Sequence, residues 1–272
     1  MTNQKKFSKN KINNRNKKEK IINLSIGILC TVIVVGCLSL AFYFGSLSYD
    51  SGEFSRLIEM AEDRGGDIIE DPSSDSIGME KGRVINIARL QEENGDIAGW
   101  VMIPDTKIDY PVMYTPKDAE YYLHRNFAQK YSMSGVPFID AECSLSPQSD
   151  NIIVHGHNMK NGSMFSDIIS YQEENFWKEH GIILLYTLDE VQEYEVIAAF
   201  PINAEDTYDV GNYFPINFGD ENQFNSFIKE IRRKSLNKTE TQVKYGEQLL
   251  TLSTCSYHTT DGRYLVISKR VK

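Results

Sequence analysis

Cysteine is scarce in this chain: four residues in 272, of which Cys30 and Cys37 fall inside an apolar run near the N-terminus. Cys143 and Cys255 alone serve the remainder, too few for a disulfide scaffold, although spacing does not exclude a single bridge between them. The metal-binding patterns C-x-x-C and H-E-x-x-H are absent, and the one close histidine pair, His155 and His157, has no third ligand nearby in sequence, which argues against a zinc centre. No glycine-rich phosphate loop follows a strand-like run, so nucleotide chemistry is unsupported. The G-x-S-x-G elbow is missing too, which weakens a serine hydrolase reading.

Charge is also missing where it matters. Between Lys20 and Asp50 there is no charged residue, and IINLSIGILCTVIVVGCLSLAFYFGSL is apolar for more than twenty positions. About 20 such residues cross a bilayer core. A cleavable signal has a shorter apolar core of about 7–15 residues and a small-residue cleavage site, neither of which fits, so the run is expected to be a retained anchor over residues 21–47. Residues 1–20 form a basic tail with eight Lys/Arg and one acid; the net charge of −9 therefore leaves −16 on the other 252 residues. Basic residues before the span and acids after it place the N-terminus in the cytoplasm and the rest outside the cell. An acidic body argues against a nucleic-acid partner.

Beyond the anchor, SGEFSRLIEMAEDRG carries Phe54, Leu57, Ile58 and Ala61 on one helical face, as a short stalk helix would. A Gly/Ser/Asp/Glu-rich linker follows, so that residues 48–82 are stalk plus linker and the folded domain begins near Arg83. RVINIARLQEENGDIAGW has helical spacing that stops at Gly95 or Gly99. WVMIPDTKIDYPVMY then alternates about the turn PDTK as a β-hairpin. Further strand candidates are VPFIDA, NIIVHG, GIILLYTL, QEYEVIAAFPI, TQVKY, QLLTLSTC and RYLVISKR. Seven or eight strands in about 170 residues imply a closed or nearly closed β structure. Helices are expected around SMFSDIISY and over DENQFNSFIKEIRRKS, the latter capped by Asp220 with Gln223 three residues on and with Phe224, Phe227, Ile228 and Ile231 on one face.

A thiol nucleophile is the chemistry left. It needs an acid/base partner, because the thiolate reacts and the leaving group must be protonated, and it needs positive or N–H-bearing groups for the developing oxyanion. His124, His180 and His258 sit in polar stretches or loops where solvated histidines are common. His155 and His157 flank Gly156 where a strand runs into a loop, the position at which catalytic side chains concentrate. If QLLTLSTC and RYLVISKR are adjacent antiparallel strands, Cys255 and Arg263 face each other at the base of the loop between them, within an arginine's reach. Ser253, two residues before Cys255, lies on the same strand face and can hydrogen-bond a substrate backbone.

These residues carry a resemblance. TLSTC with Arg263 eight positions on, the upstream NIIVHGHNMKNGSMF, and NGDIAGWVMIPDTKIDYPVM followed by EYYLHRNF together resemble a class B sortase over about residues 83–272. The resemblance implies a mainly β fold with α elements: a closed eight-stranded sortase-type β-barrel with N-terminal helices and a long helix between late strands. It implies a cysteine transpeptidase that needs no diffusible cofactor and joins exported, sorting-signal-bearing surface proteins to a peptidoglycan or pilin amine. Carried over position by position, it assigns catalytic roles to His157, Cys255 and Arg263. Leu123, Tyr213 and Phe214 match pocket-lining positions. Similar sequences usually carry tyrosine two residues before the histidine; here it is His155, a substrate contact or a competitor for the histidine role. Two alternatives stay open: a wall-acting cysteine peptidase or cross-linker, and a non-catalytic anchored binding protein with an inert Cys255.

Overall fold

The computed structural model describes residues 2–62, 83–203, 215–256 and 262–272. The chain divides into two compact units, Met1–Tyr49 and Asp50–Lys272, and helix α1 (Thr2–Ala61) contributes to both. In the first unit, Asn23–Gly45 is apolar and long enough to cross a membrane, with no part of it buried by protein. The linker expected at residues 65–82 lies outside the described residues.

The second unit is built on a closed barrel. Its strands are β1 (Ile97–Met102), β2 (Asp109–Met113), β3 (Phe138–Ile139), β4 (Asn151–Gly156), β5 (Ile182–Tyr186), β6 (Val191–Asn203), β7 (Leu249–Cys255) and β8 (Gly262–Arg270), in the order β1-β2-β3-β4-β7-β8-β6-β5. The pairs β2/β3 and β4/β7 are parallel and the others antiparallel, with β1 and β5 closing the ring. The hairpin expected around PDTK is β1–β2, with Asp105 in the left-handed region at the turn.

Helix α2 (Ile87–Glu93) is shorter than its sequence spacing predicts: the Asn86 side chain caps it by accepting from Arg89 N–H, and Ile97 already belongs to β1. Gly99 lies inside β1 instead of ending a helix, because a Cβ there would sit 2.6 Å from the Tyr186 carbonyl oxygen of β5. The segment SMFSDIISY forms a 3-10 helix (Phe165–Gln172), followed by α3 (Glu174–Glu179). The stretch read as a stalk is packed into the barrel unit. Phe54, Leu57 and Ala61 are buried in the main core, and Arg56 makes a paired hydrogen bond to Glu93.

TQVKY is not a strand, which corrects the sequence expectation. A closed barrel leaves β6, β7 and β8 with both edges occupied, so the segment has no ladder to join. Side chains hold it instead: Thr241 donates to Glu195, and Lys269 donates to the Gln242 carbonyl.

Period-two alternation divides the late strands between two cores. Leu250, Leu252 and Val266 join the main cluster; Leu249, Leu265 and Ile267 join a second one beneath α4 (Glu221–Lys234). Asp220 caps α4 by accepting from Gln223 N–H, and Phe224, Ile228 and Ile231 are its buried face, as the spacing predicts. Truncating Phe224 to alanine is expected to destabilise the domain by about 3–5 kcal/mol, read as a lower denaturant midpoint at unchanged slope.

Candidate active site

The parallel pairing of β4 with β7 brings the site together. Its register sets His155 opposite Ser253 and Gly156 opposite Thr254, so His157 leaves the end of β4 beside the end of β7, where Cys255 sits. On the other side of β7, the antiparallel register with β8 sets Cys255 opposite Arg263, as the hairpin argument predicts. Arg263 Nη1 lies 3.5 Å from Cys255 Sγ and 3.3 Å from the Gly262 carbonyl oxygen. His155, His157, Ser253, Cys255 and Arg263 line one cavity of about 460 Å³, with Leu123, Glu120, Asp140, Glu142 and Ile216 on its walls.

The two cysteines of this unit differ physically. Cys143 is buried, its thiol 3.6 Å from the Asn151 carbonyl oxygen, and desolvation pushes its pKa up to about 11, so it stays a thiol. Cys255 is half-exposed and opens onto the cavity. Neighbouring Ser253 is only 2% exposed, and its hydroxyl has no hydrogen-bond partner among the described residues. A buried hydroxyl left unpaired costs about 1–3 kcal/mol.

The histidines are held in different ways. His155 Nε2 lies 3.0 Å from Asp140 Oδ2, and that hydrogen bond is the main reason the Asp140 carboxyl is held below its usual range. His157 Nε2 lies 2.8 Å from the Leu123 carbonyl oxygen. A carbonyl only accepts, so Nε2 carries the proton and Nδ1 is the basic nitrogen of the neutral ring. His124 stacks on His157 with ring centroids 5.4 Å apart. Burial is the largest cause of a lowered His157 pKa; the hydrogen bond to Leu123 opposes it, while His124 and Arg263 add to it.

Below the ordinary histidine pKa of 6.5 the unfolded chain takes up a proton that folded His157 resists, so its contribution to stability is lost as pH falls through 6.5 toward the folded value. Unfolding free energy measured from pH 7.5 to 5 is expected to decline, and His157→Gln to flatten that decline.

Two glycines make room for the arrangement. A Cβ on Gly156 would lie 2.6 Å from the Phe165 ring, so only glycine lets that ring close against the end of β4 between the two histidines. Gly135, at φ +56°, approaches the Leu123 carbonyl so closely that a Cβ would be 2.4 Å from the oxygen His157 uses.

Of the residues anticipated from sequence, His155, His157, Ser253, Cys255, Arg263 and Leu123 meet in the cavity. Leu123 also contributes its backbone carbonyl, a contact its side-chain identity does not announce. Tyr213, Phe214 and His258 lie outside the described residues. Sequence reading missed Asp140 as the partner of His155 and set His124 aside as solvated, although it stacks on His157. Asp140 is fifteen residues from His155, with no pattern linking them; His124 follows Leu123 directly, and that adjacency was the available signal.

A closed barrel carrying a half-exposed cysteine, an arginine across the ladder and a histidine at the next strand end defines a family by geometry, and comparison with known proteins agrees. The sortase domain family matches residues 101–271, and the chain belongs to that family. Within it the similarity is to class B. Sortase B of Listeria monocytogenes is 32% identical over 166 residues, an alignment covering 61% of this chain and 65% of that protein, just under two thirds of its length. The crystal structure of Clostridium perfringens sortase B superposes with a TM-score of 0.63 at 32% identity, covering 68% of this chain and all of that one. A Staphylococcus aureus sortase B–substrate complex gives 0.63 at 28% identity, covering 68% of this chain and 84% of that one.

Proposed function

We propose that this chain is a membrane-anchored transpeptidase in which Cys255 is the nucleophile, His157 the acid/base and Arg263 the oxyanion-stabilising and substrate-holding group. The observation that carries this reading is the guanidinium 3.5 Å from the Cys255 sulfur, in one cavity with the imidazole. The Cys255 sulfur attacks the carbonyl carbon of a threonine in the sorting peptide. A C–S bond forms, the C–N bond breaks, and the thiol proton passes through His157 to the departing amine. A peptidoglycan or pilin amine then attacks the thioester. The new C–N bond forms as C–S breaks, and the amine's proton returns through His157 to the sulfur. The depressed His157 pKa supports this order, since an imidazole neutral at pH 7 is free to take the thiol proton first. Because the thioester conserves acyl-transfer energy, no nucleotide or diffusible cofactor is needed.

The role of His157 over His155 rests on their partners. His155 is committed through Nε2 to Asp140, a substrate-facing wall position, whereas His157 stands at the strand end beside Cys255. Ser253 and Leu123 serve the same groove, Ser253 through its unpaired hydroxyl and Leu123 by orienting His157. Tyr213 and Phe214 retain the pocket-lining role that the family resemblance implies.

The apolar span and the basic tail before it support a single-pass anchor with the N-terminus in the cytoplasm and the catalytic unit outside. Clients held in the same membrane by their own hydrophobic tails would meet the enzyme at raised effective concentration. Incubating the protein with a labelled sorting peptide, with and without a primary amine, tests the reading. Product that depends on the amine supports transfer, and equal release without it means a hydrolase.

A further inference from the structure

We infer that Asn158 is a positioning residue of the transfer reaction, holding the histidine-bearing turn against the cysteine-bearing strand. This rests on the assignment of His157 and Cys255 given above. His157 lies one residue past the end of β4, where the ladder with β7 has stopped, so regular pairing no longer fixes its distance from Cys255. Side-chain bonds take over at that point. On one side of His157, Thr254 donates through Oγ1 to the Gly156 carbonyl at 2.6 Å. On the other, Asn158 donates through Nδ2 to the carbonyl of Cys255 itself at 3.1 Å. Both neighbours of the histidine are thus tied to two consecutive residues of β7, the second being the nucleophile.

The far side of the turn is anchored independently. The Phe165 amide donates to the His157 carbonyl at 2.9 Å, and Asn158 pairs with Met164 in an isolated antiparallel bridge. Those backbone contacts hold the turn to the 3-10 helix and do not involve β7. Among the described residues, the side-chain bonds of Thr254 and Asn158 run between the residues flanking His157 and the end of β7. Asn158 acts from outside the strand, through its bond to the Cys255 backbone carbonyl. Displacement of a reacting group by about 1 Å costs on the order of 100-fold in rate, so losing the Asn158 tie is expected to appear in turnover and not in substrate affinity.

The test uses the full chain in detergent or nanodiscs. Asn158→Ala and the near-isosteric Asn158→Asp, which replaces the donor by an oxygen facing the Cys255 carbonyl, are each expected to lower kcat about 10- to 100-fold with KM within about threefold. Thr254→Val is expected to fall in the same way, with Thr254→Ser restoring the rate because it keeps the hydroxyl. Iodoacetamide alkylation of Cys255 at pH 9 and the thermal midpoint are expected to stay close to wild type in the Asn158 variants. A kcat unchanged in both Asn158 variants overturns the proposal. So does a rise in KM alone, which would make Asn158 a substrate contact, or a matched loss of pH 9 alkylation and thermal stability, which would make it structural. A second readout needs no peptide. The pH dependence of Cys255 alkylation is expected to lose in Asn158→Ala the same low-pH inflection that His157→Ala removes; an inflection retained at full size contradicts the tie. Should wild-type protein transfer no peptide, the enzymatic reading fails by itself, and the alkylation profile still decides whether Asn158 couples the two side chains.

Discussion

Alanine at His157 is expected to reduce peptide transfer by about 10²–10⁴-fold, the range for losing a positioned general acid/base, while alanine at His155 leaves the rate within about tenfold. The difference follows from placement. Both histidines line the cavity two residues apart, and His155 has the carboxylate partner that a conventional triad histidine would have. Yet His155 lies opposite Ser253 in the ladder, one strand period short of Cys255, whereas His157 follows the last paired residue of β4, level with the end of β7. Its orienting partner is the Leu123 carbonyl, which fixes the tautomer as a carboxylate would, without adding charge. A neutral orienter stabilises the imidazolium less than a carboxylate, in keeping with the lowered His157 pKa. Steady-state rates for the two variants on one peptide decide between them. A His155→Ala loss as large as that of His157→Ala would move the acid/base role or divide it.

Replacing Arg263 by alanine is expected to cost about 10²–10³ in kcat, the range for removing an oxyanion donor, and Arg263→Lys to recover little of it. The guanidinium reaches Cys255 Sγ and the Gly262 carbonyl from the same Nη1, and its planar fork leaves further N–H groups for substrate. A lysine ammonium is a compact point charge on a flexible stem and reproduces neither the plane nor the paired donors. Full activity in Arg263→Lys would show that the site needs only a positive charge near the sulfur. A defect confined to KM would assign the arginine to substrate holding alone.

Much of the fold was legible because its strands announce themselves locally. NIIVHG and QLLTLSTC are apolar, β-branched runs bounded by turn residues, and they became β4 and β7 almost residue for residue. The cap at Asp220 and the face of Phe224, Ile228 and Ile231 were readable because caps and helical faces depend on neighbours three or four positions away. TQVKY misled for the opposite reason: strand composition is local, but a strand needs an open edge, and edge occupancy belongs to the closed barrel. The stretch around Phe54 was legible in part, as the helix it forms. Its amphipathic spacing was visible, while its docking against residues more than thirty positions later was not.

In the site, Cys255 and Arg263 could be set opposite each other in advance because a hairpin fixes register through its own loop. The juxtaposition of β4 with β7 joins residues almost one hundred positions apart by parallel pairing, for which sequence offers no register rule. His157 was therefore reached through the family resemblance, and no sequence pattern links Asp140 to His155 or Asn158 to Cys255.

Intact-mass and peptide-level mass spectrometry of the protein mixed with sorting peptides and a primary amine interrogates the claim on which the rest depends, that the Cys255 sulfur carries the acyl group. The expected result is a thioester adduct of the cleaved peptide on Cys255 alone, discharged by the amine and absent in Cys255→Ala. Amine-dependent product formed at an undiminished rate by Cys255→Ala, or an adduct on any other residue, would contradict it.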